Sequence, residues 1–268
     1  MYKSLLRDLL LLLIVGGLLL IGGYFIAEKI WNSDTDLSFK ISYEQENKLG
    51  GIFNDMILNQ YQVIENNAAD SAVHEISNRL VQALDSTQYR YQFVILKSDQ
   101  INAFTIPGGN IYIFSGLLEI AETPEEIAAV LSHEIGHAEK RHVVSKLIKE
   151  LSITVLLGTL SGGDPGVIAK VLKEIVGNSF DREQENDADQ FGLKLLEKAK
   201  ISPKSLARFF ERLNAKDLDY NENLEILMTH PHNNKRIESA KRYKVKNGFQ
   251  AEPFNIDWKK VRNSLKMK

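Results

Sequence analysis

The chain of 268 residues carries 33 Lys+Arg against 35 Asp+Glu, a net charge of −2, with 44% hydrophobic residues and no cysteine. Such a composition supports a folded core and excludes both a disulfide framework and a thiolate metal site. No pattern of basic and stacking residues points to nucleic acid as a partner.

Leu9 to Ala27 is an apolar run without charge, preceded by Lys3 and Arg7 and followed by Glu28 and Lys29. As a helix it spans about 28 Å, close to the thickness of a bilayer core. A signal peptide has a shorter apolar region, and Tyr24, Phe25 and Ile26 make no small-x-small cleavage site. An uncleaved, single-pass anchor is therefore expected, with membrane lipid as its partner. The two leading cations put the N-terminus in the cytoplasm and the rest of the chain on the exported side. The reading divides the chain into an anchor over 1–30, a linker over 31–42 with a turn at Ser33–Asp36, and one domain over 43–268.

The domain reads as α+β and mostly helical. Helices are expected over 43–66 and 69–85, and short strands between 91 and 114. Phe93–Leu96 and Ile111–Phe114 are apolar and β-prone, and Pro107, Gly108, Gly109 and Asn110 form a turn signal. A strand edge in the Asn102–Phe114 segment could accept an extended peptide by β-addition, or the strands could simply form a small sheet. A short helix is expected over 116–122.

The next helix, expected over 124–149, carries the most informative residues. Thr123 reads as its N-cap, Pro124 as its first position and Glu126 as the partner in a capping box. Ile127, Val130, Leu131 and Ile135 recur at helical spacing. His133 and His137 lie four apart, within about 40° of each other round the helix, with Glu134 adjacent. Two imidazoles and a neighbouring carboxylate in this His-Glu-x-x-His pattern are what a zinc hydrolase requires. Gly136, a weak helix former between the two histidines, suggests close approach by another backbone or a ligand, or equally a small packing residue.

A zinc site needs a third protein ligand. A third histidine ten residues after the first is ruled out, since that position is Val143. His142 is about 140° round the helix from His137 and does not read as a ligand. The apolar stretch Leu151–Gly163 is too short to cross a membrane and reads as a core or groove-lining helix, with a shallow membrane contact as the alternative.

Further helices are expected over 166–177, 181–199, 203–214 and 233–243. In the 181–199 helix, Glu185 and Asp189 share a face. On spacing alone they read as an ordinary solvated i,i+4 pair. Thr229-His230-Pro231 reads as a loop, with Arg236 in the short helix beyond it, and His74 and His232 read as surface or structural residues. From Lys235 onward there are 11 Lys+Arg and 3 Asp+Glu. That basic end reads as a solvated terminal helix, with anionic headgroups or a protein partner as the alternative.

The His133–His137 motif followed by Glu185-x-x-x-Asp189 resembles the gluzincin-type metallopeptidases of the HtpX, BepA and CAAX-prenyl-endopeptidase family. The Asn102-Ala103-Phe104 and Pro107-Gly108-Gly109 stretch, Gly116–Leu118, Arg141-His142, Thr229-His230-Pro231 and Arg236-Ile237 fit the same resemblance in the same order. Asp181 and Asp187 depart from the Ser and Glu common in that family. The resemblance implies a zincin-like domain with one zinc ion held by His133, His137 and Glu185, and Glu134 as catalytic base. It implies a supporting role for Asp189 and a place near the metal for His230, which either assists the reaction or blocks the site. Arg236 is expected to support the ligands. The implied activity is endoproteolysis of protein or peptide substrates in envelope protein quality control, on the periplasmic, extracytoplasmic side of a cell inner membrane, with membrane proteins as further partners. The alternative is a membrane-tethered chaperone or scaffold whose latent protease site is closed by His230.

Overall fold

The computed structural model describes residues 40–162 and 179–215, isolated positions between 166 and 177, Ile226, Thr229, His230, and residues 234–266. Contacts divide the chain into Met1–Leu37 and Ser38–Lys268, and every described residue lies in the second unit. Among the described residues no helix is long and apolar enough to cross a membrane. The run Leu9–Ala27 lies outside the described residues, as does most of the helix expected over 166–177.

Helix α1 (Tyr43–Gln60) starts with a capping box in which Ser42 accepts from the Gln45 amide. The helix expected to reach 66 stops earlier, because Tyr61 is extended and Val63 forms a bridge with Leu96. Asn66 then caps α2 (Asn67–Gln82), accepting from the amides of Ala68 and Ala69.

Three short strands follow: β1 (Gln92–Leu96), β2 (Ala103–Ile106) and β3 (Asn110–Phe114), in the order β1-β3-β2. β1 runs parallel to β3, and β2 runs antiparallel to it with Ile106 opposite Asn110. The intervening turn needs positive φ at both Gly108 (83°) and Gly109 (77°), which glycine adopts without a Cβ penalty. β2 is thus an outer strand, yet Ala103 to Ile106 are all buried.

After α3 (Ser115–Ile120) comes the central helix α4 (Pro124–Glu139), buried along nearly its whole length. The capping box expected at its start does not form. Thr123 makes no side-chain cap bond, and Glu126 instead accepts from the Glu122 amide at 2.9 Å while pairing with Arg212.

The single helix expected over 124–149 is two helices. α4 ends at Glu139, and α5 (His142–Leu160) begins after Arg141, whose φ of 54° is left-handed. The cause is tertiary. The Arg141 guanidinium reaches Glu46 of α1 at 2.8 Å and the Ile41 carbonyl at 2.6 Å, which a continuous helix would not satisfy. Ser152 (φ 66°) then kinks α5 itself. Beyond it Leu156 is buried, whereas Val155 and Leu157 are exposed, so the apolar stretch is only partly core.

α6 (Arg182–Lys198) opens with a capping box in which Asp181 accepts from the Glu183 and Gln184 amides. α4 packs more extensively on α6 than on any other element. The approach is close because Gly136 faces the backbone of Ala188: a Cβ there would meet the Ala188 carbonyl oxygen at 2.8 Å. α7 (Lys204–Ala215) and α8 (Asn234–Arg242) complete the surround, and Ile76, Leu117, Leu131, Leu196 and Phe209 belong to one shared core.

The basic C-terminal end is not a solvated helix. α9 (Trp258–Lys266) buries Trp258, Val261 and Leu265, and the Trp258 indole donates to the Ala121 carbonyl at 2.8 Å.

Candidate metal centre

α4 presents His133, Glu134 and His137 toward α6, and the Gly136–Ala188 contact brings the Glu185 and Asp189 side chains within reach of them. His133 Nε2 lies 3.0 Å from His137 Nε2. Glu185 Oε1 lies 3.3 Å from His137 Nε2, and Glu185 Oε2 lies 3.6 Å from His133 Nε2. His230 joins them, with Nδ1 2.9 Å from Glu185 Oε1 and 3.2 Å from His133 Nε2. One donor atom from each of His133, His137, Glu185 and His230 falls within a 4.8 Å span, and all four residues are buried.

The electrostatics of this set call for a cation. His133 Nδ1 faces Asp189 Oδ1 at 2.9 Å. A proton held there toward the carboxylate leaves Nε2 as a lone pair. That lone pair points at a second imidazole nitrogen and a carboxylate, all removed from water. Buried lone pairs that converge in this way need positive charge beside them; Arg236 supplies it at Glu185, and the donor set as a whole fits a divalent ion. The nitrogen and oxygen donors, with no sulfur, suit zinc bound by imidazole and carboxylate.

The side chains behind the donors hold them in place. Arg236 makes a fork on Asp189, with Nε 2.6 Å from Oδ2 and Nη2 2.8 Å from Oδ1, and its Nη1 stands 2.5 Å from Glu185 Oε2. Burial alone would raise the Glu185 carboxyl, but His230, His137 and His133 outweigh it and hold it far below the usual carboxylate range. Burial likewise opposes ionisation of Asp189, and Arg236 and His133 reverse the balance to keep it low. Burial pushes His137 well below its ordinary value, which favours the neutral ring that metal ligation uses. His230 goes the other way: burial lowers it, and Glu185 and Glu134 raise it further than burial takes away.

Glu134 sits beside the cluster. Its Oε1 is 3.3 Å from His230 Nε2, and its Oε2 is 2.9 Å from the Thr105 hydroxyl of β2. Burial raises its pKa above the ordinary value, with His230 and His133 only partly opposing. A carboxyl whose ionised form is disfavoured by burial is suited to taking and returning a proton.

All seven residues singled out in the sequence therefore meet at one place: His133, Glu134, His137, Glu185, Asp189, His230 and Arg236. His74 is exposed on α2 and takes no part, and His232 lies outside the described residues. Three further neighbours had no role in the sequence reading. Thr105 holds the Glu134 carboxylate. Phe180 stacks on the His137 ring at 4.0 Å between centroids, 24° from parallel. His142, outside the donor set, places its Nδ1 3.0 Å from His137 Nδ1. Only the Arg141-His142 pair carried a sequence signal, as part of the family pattern.

An open cleft of ≈ 520 Å³ reaches the cluster at Glu185, walled by Phe180, Arg182, Asn186 and Lys235. A larger hollow of ≈ 810 Å³ beside Phe191, Tyr243 and Phe249 includes none of the four donors.

The family model for Peptidase family M48 matches residues 67–244, which include all seven residues. Among curated proteins, the chain is 25% identical over 230 residues to a beta-barrel assembly-enhancing protease from Yersinia pestis, covering 77% of this chain and 45% of that protein. It is 24% identical over 238 residues to the beta-barrel assembly-enhancing protease of Escherichia coli (strain K12), covering 80% and 47%. It is 31% identical over 169 residues to the mitochondrial metalloendopeptidase OMA1 of Saccharomyces cerevisiae, covering 60% and 48%. The chain spans about half the length of these relatives.

Proposed function

The chain belongs to peptidase family M48, and we propose that it is a zinc-dependent endopeptidase, held at a membrane by Leu9–Ala27, that cleaves envelope proteins in quality control. The observation that carries this reading is the buried set of His133, His137, Glu185 and His230 donors within 4.8 Å, with Glu134 alongside. The names of the relatives support proteins as substrates. The apolar run behind Lys3 and Arg7 supports a single-pass inner-membrane protein whose catalytic domain is extracytoplasmic.

In this reading His133, His137 and Glu185 are the metal ligands, and Asp189 and Arg236 keep them aligned. A bound zinc ion supplies Lewis acidity and brings the pKa of its water to about 7. Glu134 takes the proton of the attacking water and returns it to the departing amine, and Thr105 fixes the carboxylate for that transfer. The substrate backbone docks along β2 by strand addition, which takes little sequence information. Because Ala103–Ile106 are buried, docking requires that edge to open.

His230 distinguishes a second reading. Four protein donors make a closed site, whereas catalytic zinc keeps a position for water. With His230 seated between Glu134 and Glu185 the site is latent, and hydrolysis requires it to withdraw. A chain in which His230 stays seated acts as a tethered chaperone or scaffold.

The test is casein cleavage by the full-length protein in detergent, with Glu134→Gln and His230→Ala alongside. The endopeptidase reading expects Glu134→Gln to keep zinc and lose cleavage, and a site closed by His230 expects His230→Ala to cut faster. Retained cleavage in Glu134→Gln removes that residue from the mechanism. If neither wild type nor His230→Ala cuts, the scaffold reading stands.

A further inference from the structure

An imidazole that offers its Nε2 lone pair to a cation keeps its proton on Nδ1, and something must accept that proton. For His133 the nearest acceptor is the Asp189 carboxylate, 2.9 Å from Nδ1. For His137, whose Nε2 faces His133 and Glu185, the atom within reach of Nδ1 is His142 Nδ1 at 3.0 Å. Two ring nitrogens at that distance share one proton. If His137 holds it, His142 accepts at Nδ1 and carries its own proton on Nε2. That nitrogen faces Asp187 Oδ2 at 3.7 Å, and Lys140 holds the same oxygen at 3.0 Å.

We propose that His142 is a positioning residue of the metal centre, fixing the tautomer and ring orientation of His137 as Asp189 does for His133. This rests on the zinc reading above. His142 is buried at the start of α5 and lies directly after the left-handed Arg141. The chain reversal at Arg141 returns its ring to the end of α4, where a continuous helix would carry it about 140° away. The Glu46–Arg141 pair that holds the reversal thus has a consequence at the metal. The two ligand histidines are supported unequally, one by a carboxylate and one by an imidazole.

The experiment uses the full-length protein in detergent, with zinc affinity measured by chelator competition for wild type, His142→Leu and His142→Asn. Leu removes the acceptor; Asn puts an amide oxygen close to where Nδ1 stood. The expected result is zinc binding weakened about 10- to 100-fold in His142→Leu and largely restored in His142→Asn. Equal weakening in both, or wild-type affinity in His142→Leu, overturns the proposal. A wild-type chain that binds no zinc overturns the metal reading itself, and this proposal with it. A second readout holds even if His142→Leu fails to fold: ¹⁵N-histidine NMR of the zinc-loaded wild type, with His142→Asn used to assign the resonance. It should show His137 protonated at Nδ1 and His142 at Nε2. The opposite tautomer at His142 contradicts the assignment, which packing alone would not dictate.

Discussion

His133 Nδ1 lies 2.9 Å from Asp189 Oδ1, and the same carboxylate is gripped from behind by the Arg236 fork. A ligand ring is thereby fixed through two further side chains, one on α6 and one on α8. Replacing Asp189 with Asn keeps the shape but removes the charge that draws the His133 proton onto Nδ1. Asp189→Asn should weaken zinc binding about 10- to 100-fold, as measured by titration against a chromophoric chelator.

Gly136 tests the helix approach that makes the site. In Gly136→Ala the new methyl meets the Ala188 carbonyl oxygen at 2.8 Å, and that oxygen belongs to the backbone of α6. Relief requires α4 and α6 to separate, at a cost of about 1–3 kcal/mol. Thermal denaturation should show a lower midpoint, and zinc binding should weaken as Glu185 moves away from the imidazoles.

Arg236 is the cation that two buried carboxylates share in the metal-free protein. Removing one partner of a buried ion pair leaves uncompensated charge, which costs about 3–5 kcal/mol. Arg236→Leu should lower urea stability by about that amount in the presence of chelator. Zinc should restore part of the loss, because it neutralises Glu185.

The pH dependence of the metal-free chain carries a sign fixed by His142. Burial holds its pKa down at about 4, against 6.5 for the free side chain. The unfolded state therefore binds the proton first as pH falls. Stability from this group is complete above pH 6.5 and is lost between there and pH 4. The loss is on the order of 3 kcal/mol at 1.36 kcal/mol per unit. His230 is shifted upward and acts in the opposite direction, so the informative quantity is a difference. Urea unfolding in chelator should show wild type losing more stability than His142→Asn over that range.

How much of this was readable from the sequence depended on whether the cause was local. His133 and His137 follow from helical periodicity, and the start of α6 follows from a capping residue at Asp181. Glu185 was different: its i,i+4 spacing with Asp189 describes a surface pair as well as a ligand pair, and only the family resemblance separated the two. The break at Arg141 was illegible because its partner, Glu46, is 95 residues away. No propensity at Lys140 or Arg141 marks it. The 140° that separates His142 from His137 holds only along a continuous helix, and the helix ends at Glu139. In α9 the apolar residues Trp258, Val261 and Leu265 do recur at helical spacing, but they stand among cations, and charge alone gave a solvated helix.

The most direct measurement is the metal content of the full-length protein, purified in detergent and dialysed against a zinc buffer, beside His133→Ala and Glu185→Ala. Coordination by side chains from both α4 and α6 predicts one zinc per chain in the wild type, with a loss of zinc in each variant. A wild-type chain without zinc, or a Glu185→Ala chain that retains it with unchanged affinity, would contradict that coordination.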